Sequence, residues 1–286
     1  MNSRNERQPG PAEFGRLSPW RDSVGLDEKQ AREHAARLEL RAGAASEIAA
    51  REEYVTLLAA APGERVLDVG CGSGAATRAI AKRVAPGGRA VGVDTSGELL
   101  KVARELAKEA GLATIIDFKE GDCRALPFPD ASFDAVMAAT TLSHVPDVSR
   151  ALSEMVRVTR PGGRIGVFDL DGDLTLFTHP DRDLTRRIVA AFSDHMWVNG
   201  WLMRELPVRL ADLGVINVKT KAFMPLESGG YYANRAERSA ELAVQSGAIT
   251  GDEGARWLEA LRTEIAAKRF LGGQLHLFVW GTRQGA

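Results

Sequence analysis

The sequence predicts an α/β fold in which helices cover both faces of a parallel sheet. Between residues 64 and 170, short apolar runs alternate with stretches of helical periodicity, which is the pattern of repeated strand–helix units. Pro-Gly-Gly triplets at 86–88 and 161–163 stand where a helix must end and the next strand begin. A glycine-rich turn follows the first of these strands, which predicts a ligand site at the carboxyl edge of the sheet.

The N-terminal segment precedes this pattern and has two parts. Residues 1–27 are polar and carry no apolar signal-peptide core, so we expect a flexible arm. In residues 28–62, apolar side chains recur at spacings of three and four, which predicts two helices that stop before Pro62 and Gly63. We expect these helices to form a lid.

Residues 63–175 are expected to form the ligand-binding core of the domain. Strands are predicted at 65–69, 90–93, 114–118, 133–138 and 163–170. Helices are predicted between them at 75–84, 97–110 and 148–158.

Residues 176–286 are expected to complete the same domain. Helices are predicted at 181–196, 206–213, 227–246 and 252–270, and strands at 215–223 and 274–281. Because a long helical stretch separates the two strands, we expect an insertion, about 227–270, that caps one end of the sheet.

The composition argues against several classes of protein. The 286 residues carry 37 Lys and Arg against 38 Asp and Glu, so no basic surface for nucleic acid is indicated. The two cysteines, Cys71 and Cys123, form no CxxC pair, which argues against a structural zinc site or a disulfide framework. No apolar run reaches the roughly 18 residues of a membrane span. We expect a cytoplasmic protein that needs no metal; a homodimer stays open.

The clearest ligand signal is the segment VLDVGCGSG. It sets Gly70, Gly72 and Gly74 between a predicted strand and a predicted helix, where backbone N–H groups can approach a ligand closely. Further along, Asp94 ends the next strand, and a carboxylate at that place can accept both hydroxyls of a ribose. Together these residues predict an adenosine-containing ligand.

The glycines alone leave two ligands open. With Ala75, the spacing Gly70-x-Gly72-x-x-Ala75 also satisfies the dinucleotide fingerprint. Asp68, two residues before the first glycine, would repel a pyrophosphate and attract an amino group or a sulfonium. Asp122 follows the third strand, where it could accept a hydrogen bond from an adenine amino group. These carboxylates favour a cationic nucleoside over a dinucleotide.

Several segments, taken in order, resemble the successive motifs of class I S-adenosylmethionine-dependent methyltransferases. They are VLDVGCGSG, the strand end at Asp94, GDCRALPFPDASFDAV followed by TLSHVPD, and RVTRPGGRIGVFD. The branch they resemble is that of ubiquinone- and menaquinone-biosynthesis methyltransferases (methyltransferase type 11), which includes many enzymes of natural product biosynthesis. The resemblance covers residues 50–175 and implies a Rossmann-like, seven-stranded, mostly parallel sheet with an antiparallel last strand at 274–281.

The resemblance also implies roles for individual residues. By position it places Gly70, Gly72 and Gly74 at the methionine moiety, with Asp68 at the amino group. It places Asp94 and Thr95 at the ribose, and Asp122 and Cys123 at the adenine. Ala139 or Thr140 would lie near the sulfur. Arg41, in the helices before the core, is a candidate partner for the methionine carboxylate. S-adenosylmethionine would be the donor and S-adenosylhomocysteine the product.

The acceptor side is less strongly patterned. His144 follows the fourth strand and is the candidate catalytic base, because imidazole titrates near neutral pH, although a histidine there can also lack any role. His195 is the second candidate. Aromatic and methionine side chains cluster at 196–203, which suits a small, partly apolar acceptor that is aromatic, quinone-like or a natural product. The expected reaction is methyl transfer by in-line displacement, which depends mainly on positioning.

Two other functions stay open at this point. The chain could bind S-adenosylmethionine without catalysis, as a sensor or partner subunit. The segment FDLDGDLT is similar to the DxDGT motif of haloacid-dehalogenase-like phosphatases, in which Asp169 would be the nucleophile and Asp171 its neighbour. The motif lies on the fifth strand here instead of the first, and Asp173 replaces the threonine, so a phosphatase is the remote alternative.

Overall fold

The structure of the protein is a computed structural model that describes residues 25–285. Its helices are α1 (Glu28–Ala42), α2 (Ala45–Leu57), α3 (Ala75–Val84), α4 (Gly97–Glu109), α5 (Val148–Val158), α6 (Arg182–Met196), α7 (Leu202–Asp212), α8 (Gly230–Gln245) and α9 (Gly251–Ala266). Its strands are β1 (Arg65–Val69), β2 (Arg89–Asp94), β3 (Ile116–Glu120), β4 (Phe133–Ala139), β5 (Thr159–Phe177), β6 (Val215–Phe223), β7 (Leu226–Glu227) and β8 (Gly272–Arg283). Each helix and strand predicted in this range is present. A 3₁₀ turn at Leu142–His144 and the two-residue β7 were not predicted, because both are shorter than a period of the pattern.

The two N-terminal helices are confirmed as elements. The predicted arm at 1–27 lies outside the described residues except for its last three. The first helix begins in a capping box, in which the Asp27 side chain accepts from Gln30 N–H and the Gln30 side chain accepts in return. Within residues 25–285, no helix combines the length and the apolar character needed to cross a bilayer.

The sheet has the order β3-β2-β1-β4-β5-β8-β6, with β7 paired to β8. The first five strands pair in parallel, and β8 lies antiparallel between β5 and β6. This confirms the mostly parallel sheet with an antiparallel last strand. Because the order turns outward in both directions from β1 and β4, a crevice opens at their carboxyl ends, as open α/β sheets require at a change of strand order.

Several elements are longer than the sequence predicts, among them β5 and α7. Strand β5 continues from the expected end near Leu170 to Phe177, because its second half pairs with the start of β8 after a register shift. Helix α7 begins at Leu202, ahead of Pro207. The proline removes only one N–H donor, and the buried Leu202, Met203, Leu206 and Leu210 hold the turn before it against the sheet.

Apolar clusters cover both faces of the sheet, as an α/β sheet requires. A third cluster joins α6, α8 and α9 to the end of β5 around the fully buried Tyr232, Trp257 and Phe270. The helices of the predicted insertion therefore pack around side chains of their own and of α6. How the chain divides functionally between lid, core and insertion stays a prediction.

Candidate functional site

A cavity of about 470 Å³ lies at the carboxyl ends of β1, β2 and β4. Its lining comes from the strand ends and the loops after them, and from α1, α2, α6 and α8. Most residues predicted for the site line it, namely Arg41, Asp68, Gly70, Gly72, Asp94, Thr95, Asp122, Cys123, Ala139, Thr140 and His144. The sequence motifs thus converge on one space.

The glycine turn is held by close contacts with two neighbouring strands. Gly70 has a φ of +69° and donates its N–H to the carbonyl of Val93 at 2.8 Å. A Cβ at Gly70 would lie 2.2 Å from Cγ2 of Thr141, whose hydroxyl donates to the Gly70 carbonyl at 3.1 Å. Gly72 has a φ of +54°, and a Cβ there would lie 2.9 Å from Leu38 of α1. Both glycines are required by conformation and by space.

The structure places Gly74 apart from Gly70 and Gly72, and its assignment to the methionine moiety stays a prediction. This residue is buried at the N-cap of α3 and is not part of the cavity lining. A Cβ there would lie 2.9 Å from the ring of Phe118 on β3. Its backbone packs closely against the sheet, so Gly74 joins the helix to the strands instead of lining a ligand space.

Asp94 ties the glycine turn to the end of β2. Its Oδ2 accepts from Gly72 N–H at 2.9 Å, and its Oδ1 accepts from Ser96 N–H at 3.0 Å. Burial raises the pKa of Asp94, although these backbone hydrogen bonds act against the rise. The Thr95 N–H also acts on this carboxylate. A carboxylate has about four lone-pair sites, so the group can still accept a hydroxyl proton from a ligand.

Asp68 is the most deeply buried acid of the cavity, with 1% of its surface exposed. Its Oδ2 accepts from the hydroxyl of Thr77 at 2.6 Å. Burial raises the pKa of Asp68 to about 7, the Thr77 hydrogen bond opposes the rise, and the nearby Asp94 carboxylate adds to it. A cation bound here would favour the ionised form.

Asp122 reaches the cavity as part of an ion pair that the sequence did not reveal. The guanidinium of Arg124 donates to both of its oxygens, with the shortest contact at 2.6 Å, and lowers the pKa of Asp122. Burial raises the pKa of the adjacent Cys123 thiol to about 12, so this thiol stays protonated at neutral pH. The guanidinium of Arg124 therefore offsets part of the negative charge of Asp122.

His144 lines the cavity but does not titrate as expected. Its ring lies 5.0 Å from the ring of Trp197. Burial, followed by the charges of Arg235 and Arg41, lowers the pKa of His144 to about 3. The expectation of an imidazole that titrates near neutral pH is wrong, because the surroundings disfavour a third positive charge.

The second histidine candidate is also corrected. His195 is not part of the cavity lining, whereas its neighbours Met196 and Trp197 are. The cluster at 196–203 is divided: Met196 and Trp197 line the cavity, Met203 is buried in the core, and Trp201 is exposed. Phe192, one turn before Met196, joins the lining.

The helices bring side chains to the cavity of which only Arg41 was a candidate from the sequence. Arg41 lies 3.2 Å from the carboxylate of the buried Glu47 and 3.3 Å from Nε2 of His276. Arg235 and Tyr231 of α8 line the same cavity. Helical arginines are usually solvated, so nothing in the local sequence distinguishes these; only packing does.

The side chains of Asp169 and Asp171 are already bonded to other groups of the protein. Asp169 is fully buried and accepts from the N–H groups of Ser143 and Leu170. Asp171 forms a two-point ion pair with Arg204. In the described part of the chain, no group of three or more His, Cys, Asp or Glu is arranged to hold a metal ion. The geometry gives the phosphatase alternative no free nucleophile.

Comparisons with known proteins agree with the geometry. Residues 67–167 match the family described as a methyltransferase domain. A Streptomyces fradiae protein of 37.1 kDa encoded in transposon TN4556 is 33% identical over 71% of this chain and 59% of its own length. The 2-phytyl-1,4-naphthoquinone methyltransferase of Synechococcus elongatus is 43% identical over 39% of this chain and 48% of its own. The chain thus spans about half the length of these curated relatives.

The fold also matches solved structures. YcgJ from Bacillus subtilis superposes with a TM-score of 0.57 and 18% identity, over 83% of this chain and 99% of that one. At this identity the match concerns the fold alone.

Gly70→Ala should destabilise the protein more than Gly63→Ala. Both glycines have positive φ, so both alanines carry backbone strain of about 1–2 kcal/mol, but only at Gly70 would the new methyl overlap Thr141. Overpacking adds about 1–3 kcal/mol. Urea unfolding of the two variants measures the difference in unfolding free energy. Equal losses of stability would show that the turn can accommodate the extra methyl group.

Proposed function

We propose that this chain, which belongs to the class I S-adenosylmethionine-dependent methyltransferases, binds S-adenosylmethionine in the cavity and transfers its methyl group to a small, partly apolar acceptor. The observation that carries the proposal is the convergence of Asp68, Asp94 and Asp122 with the glycine turn on one cavity. Such a wall suits a ligand with a ribose and positive charge, and disfavours a pyrophosphate.

The residues present fit this donor. Asp94 has lone pairs left for ribose hydroxyls, and Asp122 with the Cys123 N–H is proposed at the adenine. Asp68 is proposed at the amino group, and Ala139 and Thr140, at the end of β4, near the sulfur. When bound, the donor supplies an electrophilic methyl group on a sulfonium, so that the protein has mainly to position the acceptor in line.

The acceptor is proposed to lie against an apolar wall. Phe168, Leu170, Phe192, Met196 and Trp197 line the cavity together. The naphthoquinone acceptor named for the Synechococcus relative supports an aromatic, quinone-like compound. A dry wall also keeps water from competing for the methyl group.

His144 is proposed to orient the acceptor. A neutral imidazole can accept or donate a hydrogen bond, but one whose pKa is about 3 holds a proton poorly at neutral pH. Its place beside Trp197 puts it next to the apolar wall.

The proposal is tested by calorimetry with S-adenosylmethionine and with NADH, followed by a screen of aromatic acceptors for release of S-adenosylhomocysteine. We expect binding of the sulfonium compound only, and turnover with some acceptors. A preference for NADH would contradict the donor, and binding without turnover across the screen would favour a sensor.

Asp94→Asn should weaken S-adenosylmethionine binding by about tenfold or more, because hydrogen bonds to a charged group are worth about 1.5–3 kcal/mol. Asp117→Asn on β3 is the control: its carboxylate is exposed and pairs only weakly with Arg89 at 3.4 Å. Calorimetric titration of both variants measures the effect. Similar affinities in the two would remove the ribose assignment.

Affinity for S-adenosylmethionine should rise with pH up to about 7 and then level off. In the free protein Asp68 is largely protonated below that pH, and binding a cation requires it to lose the proton. The dissociation constant should therefore fall by up to about tenfold per pH unit between pH 5.5 and 7. In Asp68→Asn the affinity should be lower and this dependence absent; an unchanged profile would place the donor's positive charge elsewhere.

A further inference from the structure

The charges around the cavity are unevenly distributed. Acids dominate at the strand ends, where the donor is proposed. Arginines dominate on the helices, with Arg37 and Arg41 on α1, Arg51 on α2, and Arg235 and Arg238 on α8, against the single acid Glu47. Glu47 already forms an ion pair with Arg41 at 3.2 Å. The helical side therefore keeps an excess of positive charge.

The excess of positive charge on the helical side is centred on Arg235. Its guanidinium donates to Oε1 of Gln274 at 2.8 Å and to the hydroxyl of Tyr231, which are both neutral acceptors. Within residues 25–285, no carboxylate completes an ion pair with it. A guanidinium has five N–H donors, so part of its hydrogen-bonding capacity remains for a ligand.

Aromatic rings surround this guanidinium. Its Cζ lies 5.1 Å from the ring centre of Tyr231, 5.5 Å from that of Phe192 and 5.6 Å from that of Trp197. We call Arg235 and these three rings the arginine box. Rings hold the guanidinium in place and exclude water, which strengthens its attraction for an anion. The carboxylate of Glu47 acts electrostatically on Arg235 but forms its direct ion pair with Arg41. A ligand anion in direct contact with the partly buried guanidinium would lower the cost of burying its charge.

The arginine box belongs to the acceptor side of the cavity. Two of its rings, Phe192 and Trp197, are part of the proposed apolar wall, and Trp197 also contacts His144 after β4. Arg41 is on α1, whose Leu38 contacts Gly72 of the glycine turn, and its Cζ lies 5.9 Å from the ring centre of Tyr231. With the donor carboxylate assigned to Arg41, Arg235 is left for the acceptor.

We propose that the guanidinium of Arg235 binds the acceptor as an oxyanion, which is a carboxylate or a phenolate on an aromatic ring. This inference rests on the proposed function. The ring of such a ligand would pack on the aromatic side chains of the arginine box while its oxygens accept from the guanidinium. The charges of Arg235 and Arg41, which add to the effect of burial in lowering the pKa of His144, also favour the ionised form of a bound acid. An acceptor held as an anion needs no base in the site.

The test measures binding of matched probes in the presence of saturating S-adenosylhomocysteine. The probes are 2-naphthoate, its neutral counterpart 2-naphthamide, and 4-nitrophenol below and above the pH at which it ionises. In the unmodified protein, we expect 2-naphthoate to bind at least about tenfold more tightly than the amide. Tighter binding of 4-nitrophenol above its pKa would mark phenolates as ligands too, and its absence would restrict the site to carboxylates.

Arg235→Gln should abolish the preference for the anion, and Arg235→Lys should restore part of it, because the charge returns without the fork geometry. Arg262→Gln is the matched control, since Arg262 is exposed on α9 and pairs with Glu237 at 3.4 Å. Affinity for S-adenosylhomocysteine, measured first, should change less than twofold in all variants.

The outcomes separate the two proposals. Equal binding of 2-naphthoate and 2-naphthamide, or an anion preference that survives Arg235→Gln, would overturn the inference and leave the donor site intact. A tenfold loss of S-adenosylhomocysteine affinity in Arg235→Gln would assign the guanidinium to the donor carboxylate and overturn it as well. Failure of the unmodified protein to bind S-adenosylhomocysteine would refute the proposed function itself.

Discussion

The site depends on the contacts that hold the glycine turn between β2 and the residues after β4. Gly70 is hydrogen-bonded to the backbone of β2 and pressed against Thr141 after β4, and Gly72 is held by the carboxylate of Asp94. The turn is therefore fixed by the strands on either side of β1. Because those strands are neighbours only in the assembled sheet, the cavity forms when the sheet does, and its walls inherit the rigidity of the sheet.

The same arrangement places acidic and basic side chains on different walls of one cavity. Asp68 and Asp94 lie at strand ends, and burial raises the pKa of each. A bound cation would stabilise their ionised forms. The arginine box faces the same cavity from the helices. A methyl transfer in which an anion meets a sulfonium fits such a division, since each charge has a complementary wall and water is kept out.

The two histidine expectations show how burial changes chemistry. His144 was expected as a base from its place after the fourth strand, and that place is confirmed. The expected pKa near neutrality is wrong, because burial lowers the pKa of His144, and the charges of Arg235 and Arg41, from helices distant in sequence, lower it further. For this reason the role proposed for His144 is to orient the acceptor as a neutral ring, and not to act as a base.

Local pattern determined the order of the strands and helices, the glycine turn, and the carboxylates at the strand ends. Each of these depends on neighbouring residues: the alternation of apolar runs, the positive φ of Gly70 and Gly72, and the place of Asp94 at the end of a strand. Tertiary structure decided the rest: that Gly74 packs on Phe118, that Arg124 pairs with Asp122, and that Arg235 stands among three rings. Those contacts join residues from separate elements, and a pattern read along one helix or strand carries no information about what another element brings against it.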